Sequence, residues 1–131
     1  MERLEDFFLE EKTIPDDLLW YGAVSFQKDG AVIPWRIGTL DAKSGEALRH
    51  ACTNDRGVTD MGAFLCRLAC ACVKYPDLKN AKLQDSWGVM GEEALLQAML
   101  TAGEYTSLCC AVLSHNAFPD RMQNLYEQAK K

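Results

Sequence analysis

The sequence predicts an α+β fold in which one antiparallel β-hairpin, at about residues 18–40, packs against roughly five helices, so that the chain is mostly α. Three observations predict it. Apolar and other residues alternate on both sides of Asp29-Gly30. A run from Asp60 to Lys74 carries Met61, Phe64, Leu65, Leu68, Ala69, Cys72 and Val73 at helical spacing. After residue 40 the remaining signals are helix caps and stops. With 131 residues, 48% hydrophobic and 25% charged, the chain reads as a single domain, 1–131. It divides into an acidic N-terminal segment (1–17), the hairpin (18–40), a helical body (41–118) and a C-terminal helical extension (119–131).

In the first segment Leu4, Phe7 and Phe8 fall at i, i+3 and i+4 among acids, which predicts a short helix over the first eleven residues, ended by Ile14-Pro15. In the hairpin, Asp29-Gly30 as a two-residue turn pairs Lys28 with Ala31 and so sets Phe26 opposite Ile33, Val24 opposite Trp35 and Gly22 opposite Ile37. Gln27, Ser25 and Arg36 then take the other face, and Pro34 marks an edge or a bulge. Asp41 or Ser44 caps a helix bearing Leu48 and Cys52, closed by the loop Thr53–Gly57. The helix Asp60–Lys74 is apolar nearly all round; its charges Asp60, Arg67 and Lys74 share one exposed stripe, and Pro76 stops it. Residues 77–90 form a short helix or turn region, with Asp85-Ser86-Trp87-Gly88 as a type I turn. Helices follow at Glu92–Leu100 and at Tyr105–His115, the latter opened by a Thr101–Glu104 capping box. The last helix starts at Pro119-Asp120, with Met122, Leu125, Tyr126 and Ala129 on one face.

The net charge of −5 is localised: residues 1–17 carry seven acids against two bases, and the rest of the chain carries twelve of each. A neutral body offers no basic face for phosphate, so neither nucleic acid nor an anionic membrane is an expected partner. No stretch approaches the roughly 18 apolar residues of a membrane span, and the acidic start is unlike a signal peptide. The expected location is therefore the cytosol, and Cys52, Cys66, Cys70, Cys72, Cys109 and Cys110 are expected to be reduced thiols.

No constellation in the sequence carries catalysis. The cysteines lack a CxxC pair, and Cys66 and Cys70 sit one turn apart on an apolar helix, the pattern of buried thiols rather than of a zinc knuckle. A cysteine-based metal-binding or redox protein is the alternative reading. His50 and His115 are the only imidazoles, and Ser114-His115-Asn116 reads as a helix C-terminal cap. Glu92-Glu93 suit a helix N-terminus, and Gly22, Gly30, Gly38 and Gly45 are isolated, without a phosphate-binding fingerprint. No cofactor is implied.

What remains is surface. The Leu4-Phe7-Phe8 stripe is expected to dock on the protein's own body, with a partner's groove as the second reading. Trp87, Val89 and Met90, in a loop flanked by glycines, either plug the core or form an adaptable binding spot. The free hairpin edge offers strand addition.

The start Leu4-Glu5-Asp6-Phe7-Phe8-Leu9, the strand Pro34-Trp35-Arg36-Ile37, the helix end Leu48–Thr53 and above all the run from Tyr75-Pro76-Asp77-Leu78 through Leu83–Gly91 to Leu95-Leu96, Met99-Leu100 and Gly103-Glu104-Tyr105 resemble the XkdN-like tail assembly chaperones of long-tailed phages and prophages. The resemblance covers about residues 4–118; residues 53–62 are shorter than is typical, and the last helix looks like an extension beyond the common core. It implies a non-enzymatic protein of the bacterial host cytoplasm that binds the tape measure protein, assists tail tube assembly and is absent from the mature virion. A structural tail component is the further alternative. The resemblance implies no catalytic residue and no metal, and leaves self-association open. It supplies no residue-level binding site; within its most specific run Asp77, Leu78, Leu83, Asp85, Trp87 and Met90 are our candidates for a shared structural or partner-binding patch, beside Leu4, Phe7 and Phe8 of the acidic segment.

Overall fold

The computed structural model describes residues 2–119, and its centre is the apolar helix α2 (Met61–Cys72). Asp60 caps α2 by accepting from the Ala63 N–H at 3.1 Å, and Phe64, Leu65, Cys66, Leu68, Ala69, Cys70 and Cys72 are buried along it. Each large apolar side chain so buried contributes about 1.5–3 kcal/mol. Around α2 lie α1 (Ala42–Ala51), α4 (Glu92–Met99) and α5 (Ala102–His115), while the short α3 (Ala81–Ser86) brings Leu83 up to the hairpin. The class is α+β and mostly helical, as the sequence predicts. Asp41 caps α1 through the Ser44 N–H at 2.8 Å, and Thr101 with Glu104 forms the expected capping box on α5, which starts three residues earlier than the pattern placed it.

The hairpin tip follows the sequence. Gln27–Lys28 (β2) pairs with Ala31–Val32 (β3) in the predicted register, across Asp29 and Gly30 at φ 55° and 82°, and the Ile33 N–H donates to the Phe26 carbonyl at 2.9 Å. The pairing then departs from prediction. Leu18–Trp20 (β1) lies antiparallel to Trp35–Ile37 (β4) with Trp20, not Val24, opposite Trp35, and Leu18, not Gly22, opposite Ile37. Residues 21–26 instead form a compact loop held by Val24 N–H to Gly22 C=O and Phe26 N–H to Ala23 C=O, at 2.9 and 3.1 Å. Its physical reason is the indole of Trp20. Trp20 packs edge-on against Trp35 at 5.4 Å and leaves no room for a Cβ at Gly22, where one would meet the ring at 2.5 Å. Ala23 is fully buried beneath the loop, while Val24 points out.

A third strand corrects the helix boundary. α2 ends at Cys72, and Val73–Tyr75 (β5) turns into the sheet, giving the order β1-β4-β5 with Ile37 opposite Val73. Val73 is β-branched and Tyr75 precedes Pro76, both unfavourable to continued helix, and the Gly38 N–H caps the turn by donating to the Cys72 carbonyl at 2.8 Å. Lys74 therefore leaves the predicted stripe and pairs with Asp17 at 3.0 Å, while Arg36 meets the same carboxylate at 3.3 Å. The edge of the second hairpin strand is not free, because the chain's own β5 occupies it.

The N-terminal segment does not form the predicted helix. It makes two 3-10 turns, Leu4–Phe7 and Leu9–Glu11, without a side-chain cap at either N-terminus. So short a segment has too few hydrogen bonds to offset its ordering entropy, and its acids repel. The predicted last helix, on residues 119–131, lies outside the described residues from 120 onward.

Candidate partner-binding surfaces

The apolar face that the hairpin presents is only half covered. Phe26 and Ile33 at the hairpin, Tyr75 and Pro76 at the end of β5, and Leu83 and Trp87 on and after α3 surround a groove of about 190 Å³. Trp35 and Met99 form its buried floor. Every lining residue is apolar or aromatic, and two at the rim stay open to solvent, Tyr75 at 52% and Trp87 at 39% of full exposure. Trp87 is fixed against Phe26 edge-on, centroids 6.1 Å apart.

The segment bearing Trp87 is ordered by hydrogen bonds rather than by burial. Asn80 caps α3 at the Leu83 N–H (3.0 Å), and the Gly88 N–H returns to the Asp85 carbonyl at 3.1 Å, the turn expected there. Gln84 is the clasp: its Nε2 donates to the Leu78 carbonyl at 2.9 Å, and its Oε1 accepts from the Gly91 N–H at 3.0 Å. Both ends of residues 78–91 thus hang on one amide. Of the residues singled out in this run, the structure brings Leu83 and Trp87 together in the groove wall. Leu78 is buried at 2% exposure, Asp77 accepts from the Lys79 N–H at 3.1 Å, Asp85 is exposed on α3, and Met90 projects at 92% exposure. Phe26, Ile33, Tyr75 and Pro76 were not singled out. The alternation did place Phe26 and Ile33 on the apolar hairpin face, while Tyr75-Pro76 read as a helix stop and as part of the run that carries the family resemblance, not as part of a binding surface.

The second surface is the N-terminal arm. Leu4, Phe7 and Phe8 do not dock on the body, contrary to expectation: the shallow clefts around them are lined by arm residues alone. Leu4, Phe7 and Leu9 are 75%, 86% and 84% exposed. Only the stretch behind them, Lys12 to Pro15, lies along the body, beside Thr39 to Ser44 and His115 to Ala117.

None of the six cysteines is in a disulfide. Cys66, Cys70, Cys72 and Cys109 are buried, and a hydrogen bond within the Cys66–Cys70 pair lowers the first thiol and raises the second. Burial pushes Cys72 up to about 11. Among the described residues no group of three His, Cys, Asp or Glu is placed to hold a metal ion. His50 is exposed on α1, and His115 ends α5, its Nε2 buried without a hydrogen-bond partner among the described residues. No described helix is long and apolar enough to cross a membrane.

With this geometry in place, the chain matches the family model of the phage XkdN-like tail assembly chaperone proteins over residues 4–130. The chain belongs to that family. The match spans both the arm and the groove of this tail assembly chaperone, and it continues to residue 130, so the C-terminal stretch lies inside the family's span rather than beyond it. The crystal structure of the protein YqbN superimposes with a TM-score of 0.81 at 18% identity, covering 91% of this chain and 99% of YqbN, which fixes the likeness of fold. A comparison with curated proteins finds no match.

Proposed function

We propose that this chaperone acts without catalysis, as a single domain in the bacterial host cytoplasm, by holding the tape measure protein until tail tube subunits assemble around it, and that it is absent from the finished virion. The observation that carries this reading is the pair of apolar surfaces left open, the groove at Trp87 and the arm at Phe7. A soluble domain leaves apolar side chains together in an open groove mainly where a partner covers them. A long helical client presents leucine and aromatic anchors at helical spacing, and a 190 Å³ groove walled by Leu83 and Trp87 accommodates one such anchor. Met90, beside it in sequence and fully adaptable, widens the contact, while Asp77 and Asp85 keep the rim wet. Leu78 contributes from below, by fixing the turn into α3.

Co-expression with the tape measure protein of the same phage tests this. The client stays soluble and copurifies with the chaperone, and Trp87→Ser reduces the yield of the complex. Failure to copurify with either the tape measure or the tail tube protein refutes the reading, and detection of the chain in purified particles refutes its absence from the virion.

A further inference from the structure

We infer that the outer face of the three-stranded sheet receives an amphipathic helix that carries one acidic residue between two apolar ones, spaced i, i+3 or i+4, and i+7. This inference deepens the proposed function by naming the kind of client segment, and it rests on that reading only for where the helix comes from. Strand pairing defines the face. Leu19 lies opposite Arg36 and Arg36 opposite Tyr75, so one side chain from each of β1, β4 and β5 forms a row across the sheet. Their neighbours Trp20, Trp35, Ile37 and Val73 are buried in the core on the other side, as the alternation of a strand requires. The row itself is open: Leu19 and Tyr75 are each 52% exposed, as is the Arg36 side chain, and Tyr21, next but one after Leu19, is 55% exposed.

Charge selects the acid. Arg3, Arg49 and Arg67 each have a carboxylate to themselves, in Glu5, Glu46 and Glu93. On the sheet, Arg36 and Lys74 share one, Asp17, at 3.3 and 3.0 Å. Lys74 reaches it by lying across Gly38, where a Cβ would have no room, and donates to Oδ1. Arg36 approaches Oδ2 through Nε, which leaves its paired Nη donors for a second carboxylate. These three groups sum to one positive charge, in a chain whose net charge is −5. An arginine set between an aliphatic and an aromatic side chain has the composition of an interface hot spot, and its planar fork suits a carboxylate.

Spacing selects the helix. Neighbouring strands lie about 4.8 Å apart, so Leu19 and Tyr75 stand about 10 Å apart with Arg36 midway. A helix rises about 5.4 Å per turn, which places residues i, i+3 or i+4, and i+7 in a line at nearly the same intervals. Laid across the strands, such a helix sets its acid on Arg36 and its apolar residues on Leu19 and Tyr75. An extended segment repeats a face about every 6.7 Å and falls out of step with the row. The area sets the strength. At roughly 200 Å² for a large side chain, Leu19, Tyr21, Arg36 and Tyr75 expose about 400 Å², and with an equal share from the helix about 800 Å² is buried. That is the size of a weak, releasable contact, with Kd in the micromolar range.

Overlapping peptides of about 20 residues that span the tape measure and tail tube proteins of the same phage are titrated with the full chain by fluorescence anisotropy. Those that bind carry the apolar, acid, apolar pattern, gain helix by circular dichroism, and bind more weakly at high salt. Arg36→Gln and Leu19→Ser, both at exposed positions where folding changes little, each weaken binding at least about fivefold. Replacing the peptide's acid by lysine abolishes binding to the parent chain, and Arg36→Glu restores it, a rescue that a merely structural role of Arg36 would not give. Binding indifferent to both variants, bound peptides that lack the pattern, or no bound peptide at all each overturn the inference. So does an association between two copies of the chain that Arg36→Gln abolishes, since the face would then be a self-contact. The client reading is judged separately, by copurification of the intact tape measure protein with the parent chain, so either can fail while the other stands.

Discussion

Glu104 is the one buried polar or charged residue among those described, and removing its carboxylate tests why the hairpin has the register it has. Its Oε1 accepts from the Thr101 N–H at 2.8 Å, closing the capping box. Its Oε2 accepts from the N–H and the hydroxyl of Ser25 at 3.2 and 3.3 Å, pinning loop 21–26 onto α5. Bonds to a charged acceptor are worth about 1.5–3 kcal/mol where water cannot replace them. Ser25 and Thr101 are themselves exposed, so water recovers part of this, and Glu104→Ala should cost about 2 kcal/mol in total. For a chain of this size that lowers Tm by about 6–10 °C. Glu104→Gln keeps the shape and one acceptor and should cost about half as much.

The pH dependence carries a sign. The Thr101 backbone N–H first, then Ser25, hold the Glu104 carboxyl below the ordinary glutamate range. A carboxylate so shifted adds stability above its unfolded pKa, about 4.3, and loses it as pH falls through the lower folded value. The gap between the parent chain and Glu104→Gln, read by urea denaturation, is therefore full at neutral pH and closes on acidification. A gap under about 0.5 kcal/mol at neutral pH, within the range of ordinary surface changes, or one that widens in acid, would refute the assignment of the loop's anchorage to this carboxylate.

Two further outcomes follow from the same structure. Asn116→Ala, which removes the acceptor for the Leu40 N–H (2.9 Å) and the donor to the Val112 and Gly38 carbonyls, should cost about 2 kcal/mol by denaturant titration and loosen the junction between α5 and the chain entering α1. In native protein a thiol reagent should modify the half-buried Cys52 and Cys110 first, with Cys66, Cys70, Cys72 and Cys109 reacting only on unfolding; equal rates at all six would mean that α2 is not closed over.

The parts legible in the sequence are those governed by local rules. The Asp29-Gly30 turn, the Asp60 and Asp41 caps, the Thr101–Glu104 box and the apolar spacing of α2 each depend on residues within a few positions, and each is present in the structure. The misplaced parts depend on distant partners. Extending the register from the turn assumed uninterrupted strands, whereas the bulk of Trp20 and the pull of Glu104, 79 positions from Ser25, make loop 21–26 more favourable than four more residues of ladder. Likewise Val73 fits the helical spacing, and although its β-branch and the nearby Pro76 disfavour further helix, it is pairing with β4 that makes residues 73–75 a strand. The groove was half legible for the same reason. Trp87 stood out as an aromatic residue in a loop flanked by glycines and Leu83 lay in the run that carries the family resemblance, while Tyr75 entered the wall only because β5 exists.

That difference bears on how the surface stays open. A groove assembled from hairpin, β5 and α3 cannot be closed by small adjustments of one element, because each is anchored elsewhere: the hairpin through Glu104, β5 through β4, and α3 through Gln84. Its walls are held apart by bonds that do not involve the groove itself, so the apolar opening is part of the rigid frame and survives in the free protein. The arm achieves exposure in the opposite way, with no anchor at Phe7 and with charge as its only source of solubility. A preformed groove lowers the ordering cost of binding. The groove thus offers a partner a seat that needs no rearrangement, while the arm offers apolar side chains that are held against nothing on the body.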